Sequence, residues 1–298
     1  MDDKSIKVGF CVAYDWYLLK HSLPIIYPYA DVICLSIDKD RISWAGNKYP
    51  INDKEFYAFV NDIDTQHKIV IYEDDFYQEN LTSMQNEVRQ RNKMAQYLGI
   101  DQKSWYIQLD ADEYFLNFEA FCNELQQLRP TRPINVCCPF VILFKKTDKG
   151  YLFIKNEGYD QQELIPIATN VPAYQFGRRN GYFNYHTRHI VLHQSWARSA
   201  EEIQQKLQNW GHNNDFDTNA YLEKWRSLSV DNYKKYIDFH PFNPESWQGL
   251  DYVKADSISE LINSYKTKSI PISPIKLKLK NSVNYSRLAK VFPFLGIK

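Results

Sequence analysis

The sequence predicts an α/β protein with a mostly parallel central sheet and a helical C-terminal region. Four short β-rich runs predict the sheet: "IKVGFCVAY", "ADVICLSID", "HKIVIYEDDF" and "SWYIQLD". They alternate with helical or turn-like segments, and strands joined by such crossovers lie parallel. Each run also ends in acid, at Asp15, Asp38, positions 73–75 and Asp110. Ligands of open parallel sheets bind beyond the carboxyl ends of the strands. Four acid-tipped strands would therefore line one edge with oxygen acceptors.

The bulk numbers narrow the class. At 298 residues, with 44% apolar and 24% charged residues, the chain is an ordinary globular protein able to bury a full core. Lys plus Arg and Asp plus Glu number 36 each, so no net field favours nucleic acid, and none is expected as a partner. The five cysteines, Cys11, Cys34, Cys122, Cys137 and Cys138, form no CxxC and sit mostly in apolar runs. Buried free thiols in a reducing compartment explain them better than disulfides or zinc. "MDDKSIKVGF" has no apolar signal region, and no run of about 18 apolar residues occurs. The expected location is the cytoplasm, or the inner face of a membrane.

Between the third and fourth runs, "TSMQNEVRQRNKMAQYLGI" reads as a helix capped by Thr82 or Ser83 and stopped by Gly99. Its apolar stripe is Met84, Val88, Ala95 and Leu98, with Arg91 in the middle. A guanidinium on a core-facing stripe calls for an anionic partner, a ligand phosphate or a nearby strand-end acid; the alternatives are pairing with Glu87 one turn earlier or snorkelling to the helix edge. "INVCCPFVILF" and "GYLFIK" are two further strands around a polar turn, positions 155–181 are turn-rich, and "NYHTRHIVLHQSW" is read as one strand. "SAEEIQQKLQNWGH" is an amphipathic helix opened by a Ser199–Glu202 capping box. From position 266 onward lysines and one arginine are interleaved with apolar residues and no acid. That composition suits peripheral contact with an anionic membrane face; a free tail or a docking segment are the alternatives.

The most concentrated chemistry lies in "SWYIQLDADEYFLNF", where Asp110, Asp112 and Glu113 crowd four positions after an apolar strand. Clustered carboxylates repel and are costly to desolvate. A divalent cation is the expected compensation, since alternate strand residues share a face and Mg²⁺ or Mn²⁺ binds through one or two carboxylates plus substrate phosphates. His193, at the end of "IVLH", is the preferred third ligand, and His212 is a second candidate. His189 and His193 share a face but lie about 13 Å apart if the strand is extended.

"YIQLDADEYF", with the "RQRN" helix before it and a first strand ending near Tyr14 and Asp15, resembles the donor-binding half of GT-A glycosyltransferases of the family 2-like bacterial kind. "VLHQSWARSAEEIQQKLQNWGH" is similar to a segment found in that group. The resemblance spans about residues 6–250. It implies a Rossmann-like domain, a nucleoside-diphosphate sugar, UDP-linked by expectation, and Mn²⁺ or Mg²⁺ held by the Asp-x-Asp. It places Asp112 on the metal, Asp110 on ribose or metal, and Tyr14, Asp15 and Asp38 near the nucleoside; Arg91 is a further candidate for binding the nucleotide, from its place on the helix. A glycan or lipid-linked acceptor of surface polysaccharide synthesis follows by analogy. The implied organisation is a catalytic domain over 1–198 (donor side 1–118, acceptor side 119–198), a helical aromatic-rich extension over 199–265 and a basic apolar tail over 266–298.

Inverting transfer also needs a carboxylate to take the acceptor's proton. Glu157, Asp160 and Glu163 are the candidates, Glu157 being favoured because it follows a strand beside a flexible glycine. "FGRRNG" puts Arg178 and Arg179 in a glycine-flanked loop, either as a phosphate holder or as a solvated turn. Other classes fit less well. A phosphohydrolase using the Asp-x-Asp lacks a later Gly-Asp-x-x-x-Asp, and a nucleotidyltransferase lacks a glycine-rich phosphate loop near the N-terminus. A non-catalytic carbohydrate-binding protein explains the 22 Tyr and 7 Trp but leaves the strand-end acids without purpose.

Overall fold

The computed structural model describes residues 4–209, 217–265, 270 and 272–283. In chain order it forms β1 (Ser5–Val12), α1 (Leu19–Ile26), β2 (Val32–Asp38), α2 (Asp53–Ile63), β3 (Ile69–Asp74), α3 (Ser83–Tyr97), β4 (Ser104–Asp110), β5 (Glu113–Phe115) and α4 (Phe118–Gln127). The second half continues with β6 (Ile134–Thr147), β7 (Gly150–Lys155), β8 (Glu163–Thr169), β9 (Phe183–His186), β10 (Val191–His193), α5 (Ala200–Asn209), α6 (Thr218–Ser227), β11 (Gly249–Lys254), α7 (Ile258–Tyr265) and α8 (Pro274–Lys280).

One mixed sheet holds the strands in the order β11-β7-β6-β8-β4-β1-β2-β3. The four acid-tipped runs are β1 to β4 and pair in parallel as β3-β2-β1-β4, so the expected α/β class and parallel core are present. Beyond them, β8 lies antiparallel between β4 and β6. β6 therefore points the same way as β4, and β10 runs parallel to β6 and antiparallel to β5. This polarity decides where the site forms. The carboxyl ends of β1, β2, β4 and β10 share one edge with the amino ends of β5 and β8. That edge gathers Asp38, Asp110, Glu113, Glu163 and His193.

The local signals act as their chemistry demands. Thr82 caps α3 in a full capping box with Gln85, and Ser199 and Glu202 do the same for α5. Gly9 of β1 lets α3 approach closely: a Cβ there would lie 2.6 Å from Met94 Cε. The face α3 turns inward is more polar than the sequence stripe implies, with Asn86, Gln90 and Arg91 buried beside Met94 and Ala95. Each polar group is satisfied across the interface; Gln90, for example, donates to Ser36 at 3.0 Å.

Three stretches depart from the sequence reading. "NYHTRHIVLHQSW" is two short strands, β9 and β10, and the break sends His189 to Glu124 at 2.8 Å. The turn-rich region contains β8, whose Pro166 sits at a register shift against β6, where a missing N–H is tolerated. The segment 199–265 includes β11, which pairs with β7. Its aromatics Trp225, Phe239 and Trp247 pack with Trp196 around Phe144 in a buried cluster. All five cysteines are buried free thiols. Of the basic tail, α8 docks on the protein: Lys276 and Lys280 both pair with Asp160, and Asn281 exchanges two hydrogen bonds with the backbone of His186. No helix among the described residues is long and apolar enough to cross a membrane.

Candidate functional site

A cleft of about 400 Å³ opens at the shared edge of the sheet. Tyr14, Asp15, Asp38, Asp110, Asp112 and His193 all line it, so the structure brings together most of the residues the sequence singled out. Glu163 lines it as well. Glu157 and Asp160 do not: Glu157 lies at the surface with its backbone N–H on Gln248, and Asp160 is taken by the two α8 lysines. Of the three candidates only Glu163 reaches the cleft, because the polarity of β8 opens its first residue there, and the favoured Glu157 lies outside it. Arg91 is buried beneath this edge, and His212 lies outside the described residues.

The end of the cleft beside Tyr14 and Asp38 is walled by rings. Tyr14 and Tyr49 meet edge to face at 6.2 Å, and Trp44 is pinned by its indole N–H to Gln90 at 2.6 Å. Asp38 does not offer free oxygens. Its Oδ1 accepts the backbone N–H groups of Asp40 and Ile42, and its Oδ2 those of Phe76 and Tyr77, at 3.0–3.1 Å. Four acceptances fill a carboxylate, so Asp38 builds the wall that carries Trp44 and Tyr49.

The carboxylate cluster is neutralised by arginines. Arg91, on α3, reaches Asp110 Oδ1 at 2.8 Å and Glu87 at 2.9 Å. Both partners that the sequence allowed, a strand-end acid and Glu87, are engaged at once. Arg178 takes Glu113 bidentately, at 2.7 and 2.5 Å, and lies 3.5 Å from Asp110 Oδ2. Arg178 is thus a largely buried counter-ion and not part of a solvated turn. Arg198 bridges Asp112 at 2.5 Å and Asp15 at 2.9 Å, and its Nε donates to the carbonyl of Gln194. Arg198 Nη1 is buried with no hydrogen-bond partner among the described residues. An unsatisfied buried donor of this kind costs about 1–3 kcal/mol.

Burial pushes the carboxyl groups of the cluster up, and it prevails at Asp15 and Glu113; at Asp110 and Asp112 the cations reverse it. Asp110 is held below its ordinary range by Arg91 and Arg178, and Asp112 well below it by His193 and Arg198. His193 Nε2 lies 3.5 Å from Asp112, which outweighs burial and favours the imidazolium. Lys206, on α5, projects into the cleft with its Nζ on Ser195 Oγ at 3.0 Å. Burial, with Arg198 adding, lowers Lys206 to about 8.

These contacts test the expected cation. Asp112 Oδ2 is already shared by Arg198 and His193, and Asp110 Oδ1 is taken by Arg91. Among the described residues no group of three or more His, Cys, Asp and Glu side chains is placed to hold a metal ion. The donor set as arranged does not fit a resident divalent ion, and the counter-charge expected from one comes from three guanidinium groups. The sequence reading missed Arg198 and Lys206. Lys206 carried a signal, since it lies between the core-facing Ile203 and Leu207 on α5.

The far wall comes from the second half of the chain. Trp247 donates its indole N–H to Glu163 Oε1 at 3.1 Å, and His240 meets the Trp247 ring at 4.4 Å. Trp196 completes this side.

No family model matches the chain, and no curated protein matches it. Among solved structures, one similarity is to "4-diphosphocytidyl-2C-methyl-D-erythritol synthase", at 14% identity and a TM-score of 0.34, covering 58% of this chain and 77% of the other. A second is to 4-diphosphocytidyl-2C-methyl-D-erythritol synthase from Anaerococcus prevotii DSM 20548, at 12% identity and a TM-score of 0.30, covering 89% and 97%. At these scores neither likeness bears on the chemistry of the cleft.

Proposed function

We propose that the protein is a glycosyltransferase of the GT-A kind, moving a sugar from a nucleoside-diphosphate sugar to a glycan or lipid-linked glycan acceptor. The observation that carries the reading is the two-walled cleft. Its first wall, at the ends of parallel strands, offers aromatic rings and a strongly charged floor. Its second offers a carboxylate framed by indoles, and aromatic faces suit sugar rings.

In this reading the nucleoside lies against Tyr14, Trp44 and Tyr49, and the diphosphate lies over the charged floor. Glu163 takes the proton of the acceptor hydroxyl as the oxygen bonds to the anomeric carbon. The carbon–oxygen bond to the diphosphate breaks, and its electron pair leaves with the diphosphate. Trp247 holds one carboxylate oxygen of Glu163 and leaves the other for the proton. Trp196, Trp247 and His240 supply the acceptor surface.

The test is a panel of nucleotide sugars screened for hydrolysis and for transfer to glycan acceptors, with product stereochemistry read by NMR. One donor should be turned over with inversion. Glu163→Gln should lower kcat by about 10²–10⁴-fold, the usual contribution of a positioned general base, with little change in donor KM. Binding of free sugars without turnover of any donor would replace this reading with that of a carbohydrate-binding protein.

A further inference from the structure

The floor of the cleft has an excess of fixed cation at one end. Asp15 and Asp112 face Arg198, His193 and Lys206. Arg198 answers both carboxylates through a single nitrogen, Nη2, and leaves Nη1 unused. Lys206 has the Ser195 hydroxyl and, among the described residues, no carboxylate at ion-pair distance. Both side chains line the cleft beside Ser195. A buried cation without a full anionic partner is costly, and a ligand phosphate is an anion that guanidinium and ammonium groups bind well.

Across this floor, a cation between Asp110 and Asp112 would compete with the cationic side chains already on them: Arg91 holds Asp110 Oδ1, Arg178 lies 3.5 Å from Asp110 Oδ2, and Arg198 and His193 share Asp112 Oδ2. The side chains of Arg91 and Arg198 are 1% and 2% exposed, and weakening buried pairs of this kind is costly.

We propose that the pyrophosphate of the nucleotide is held by Lys206, Arg198 and the Ser195 hydroxyl, without a divalent ion bridging it to Asp110 and Asp112. This rests on the nucleotide-sugar reading above for the identity of the ligand, and on the side-chain contacts for the mode of binding. Ammonium and guanidinium groups are common phosphate partners. In this mode Lys206 neutralises the charge that develops on the departing diphosphate.

Calorimetric titration of the full chain with UDP, GDP, CDP and inorganic pyrophosphate, in EDTA and again in Mn²⁺, tests the proposal. Inorganic pyrophosphate and at least one of the nucleotides should bind in EDTA, with Mn²⁺ changing Kd by less than about threefold, under 1 kcal/mol. Lys206→Gln should weaken pyrophosphate and that nucleotide by at least about tenfold, the loss of one charge-assisted contact. The same variant should leave the matching nucleoside unaffected. Arg198→Lys, checked for folding by circular dichroism, should weaken pyrophosphate too. Binding that appears only with Mn²⁺ or Mg²⁺, a folded Lys206→Gln with wild-type affinity, or no binding of any of these ligands would overturn the proposal. Cation-free pyrophosphate binding through Lys206, with no nucleotide sugar turned over, would uphold the anion site and remove glycosyl transfer.

Discussion

The two ends of the cleft floor use the same chemistry to opposite effect. At the Asp110 end, Arg91 and Arg178 face Asp110, Glu113 and Glu87, and every guanidinium is matched by carboxylate. At the Asp112 end, Arg198 keeps a nitrogen unused and Lys206 rests on a hydroxyl. The first arrangement is closed, and closure favours rigidity. The second holds positive charge in reserve, and such a reserve lowers stability unless something binds. Buried ion pairs are strong only when complete, because desolvation consumes most of the Coulomb gain.

The largest effect that would break this contrast is at the closed end. Arg178→Met leaves Glu113, which is fully buried, without its bidentate partner. We expect a loss of about 3–5 kcal/mol, read as a lower urea midpoint with an unchanged m-value. A loss below 1 kcal/mol would show that this end is not the structural one. A smaller effect of opposite sign is expected at the open end. Lys206→Gln should raise stability at pH 7 by about 1–2 kcal/mol, because it removes a cation that the fold disfavours. The pH dependence follows. With the folded value near 8 against an ordinary 10.5, the unfolded chain binds more protons in between. Wild-type stability should therefore gain on Lys206→Gln as pH rises from 8 to 10, and the difference between the two should close. A constant difference over that range would mean that Lys206 is not strained. The smallest expected effect is an absence. Cys11 lines the cleft beside Arg91 and Asp110, yet burial pushes its thiol up to about 12. Native protein should show almost no reaction of Cys11 with a thiol reagent at pH 8, and full reaction in urea; rapid native labelling would show that the closed end opens.

The same contrast explains what could be read from the residues alone. The parallel core, its acid-tipped ends and the caps at Thr82 and Ser199 depend on local pattern, and local pattern was legible. Arg91 was legible because its misfit on a helix stripe called for a partner. Arg198 was not, since its partners Asp112 and Asp15 lie 86 and 183 positions away. Nothing local distinguishes it from a surface arginine before a helix. The acids at Asp110 and Asp112 invited a cation because the sequence shows charge of one sign together and the opposite sign scattered. Among Glu157, Asp160 and Glu163 the sequence favoured Glu157, and only the direction of β8 brings Glu163 to the cleft. That strand was hidden by Pro166 and by having no hairpin partner next to it in sequence.

β11 has a consequence for how the molecule is made. It is the last strand among the described residues and covers the outer margin of β7, laid down about a hundred residues before it. During synthesis that margin stays bare, with its amide groups open to any extended neighbour, until Lys254 has left the ribosome. A chain cut before Gly249 would keep the cleft's first wall and still be sticky, whatever its catalytic state.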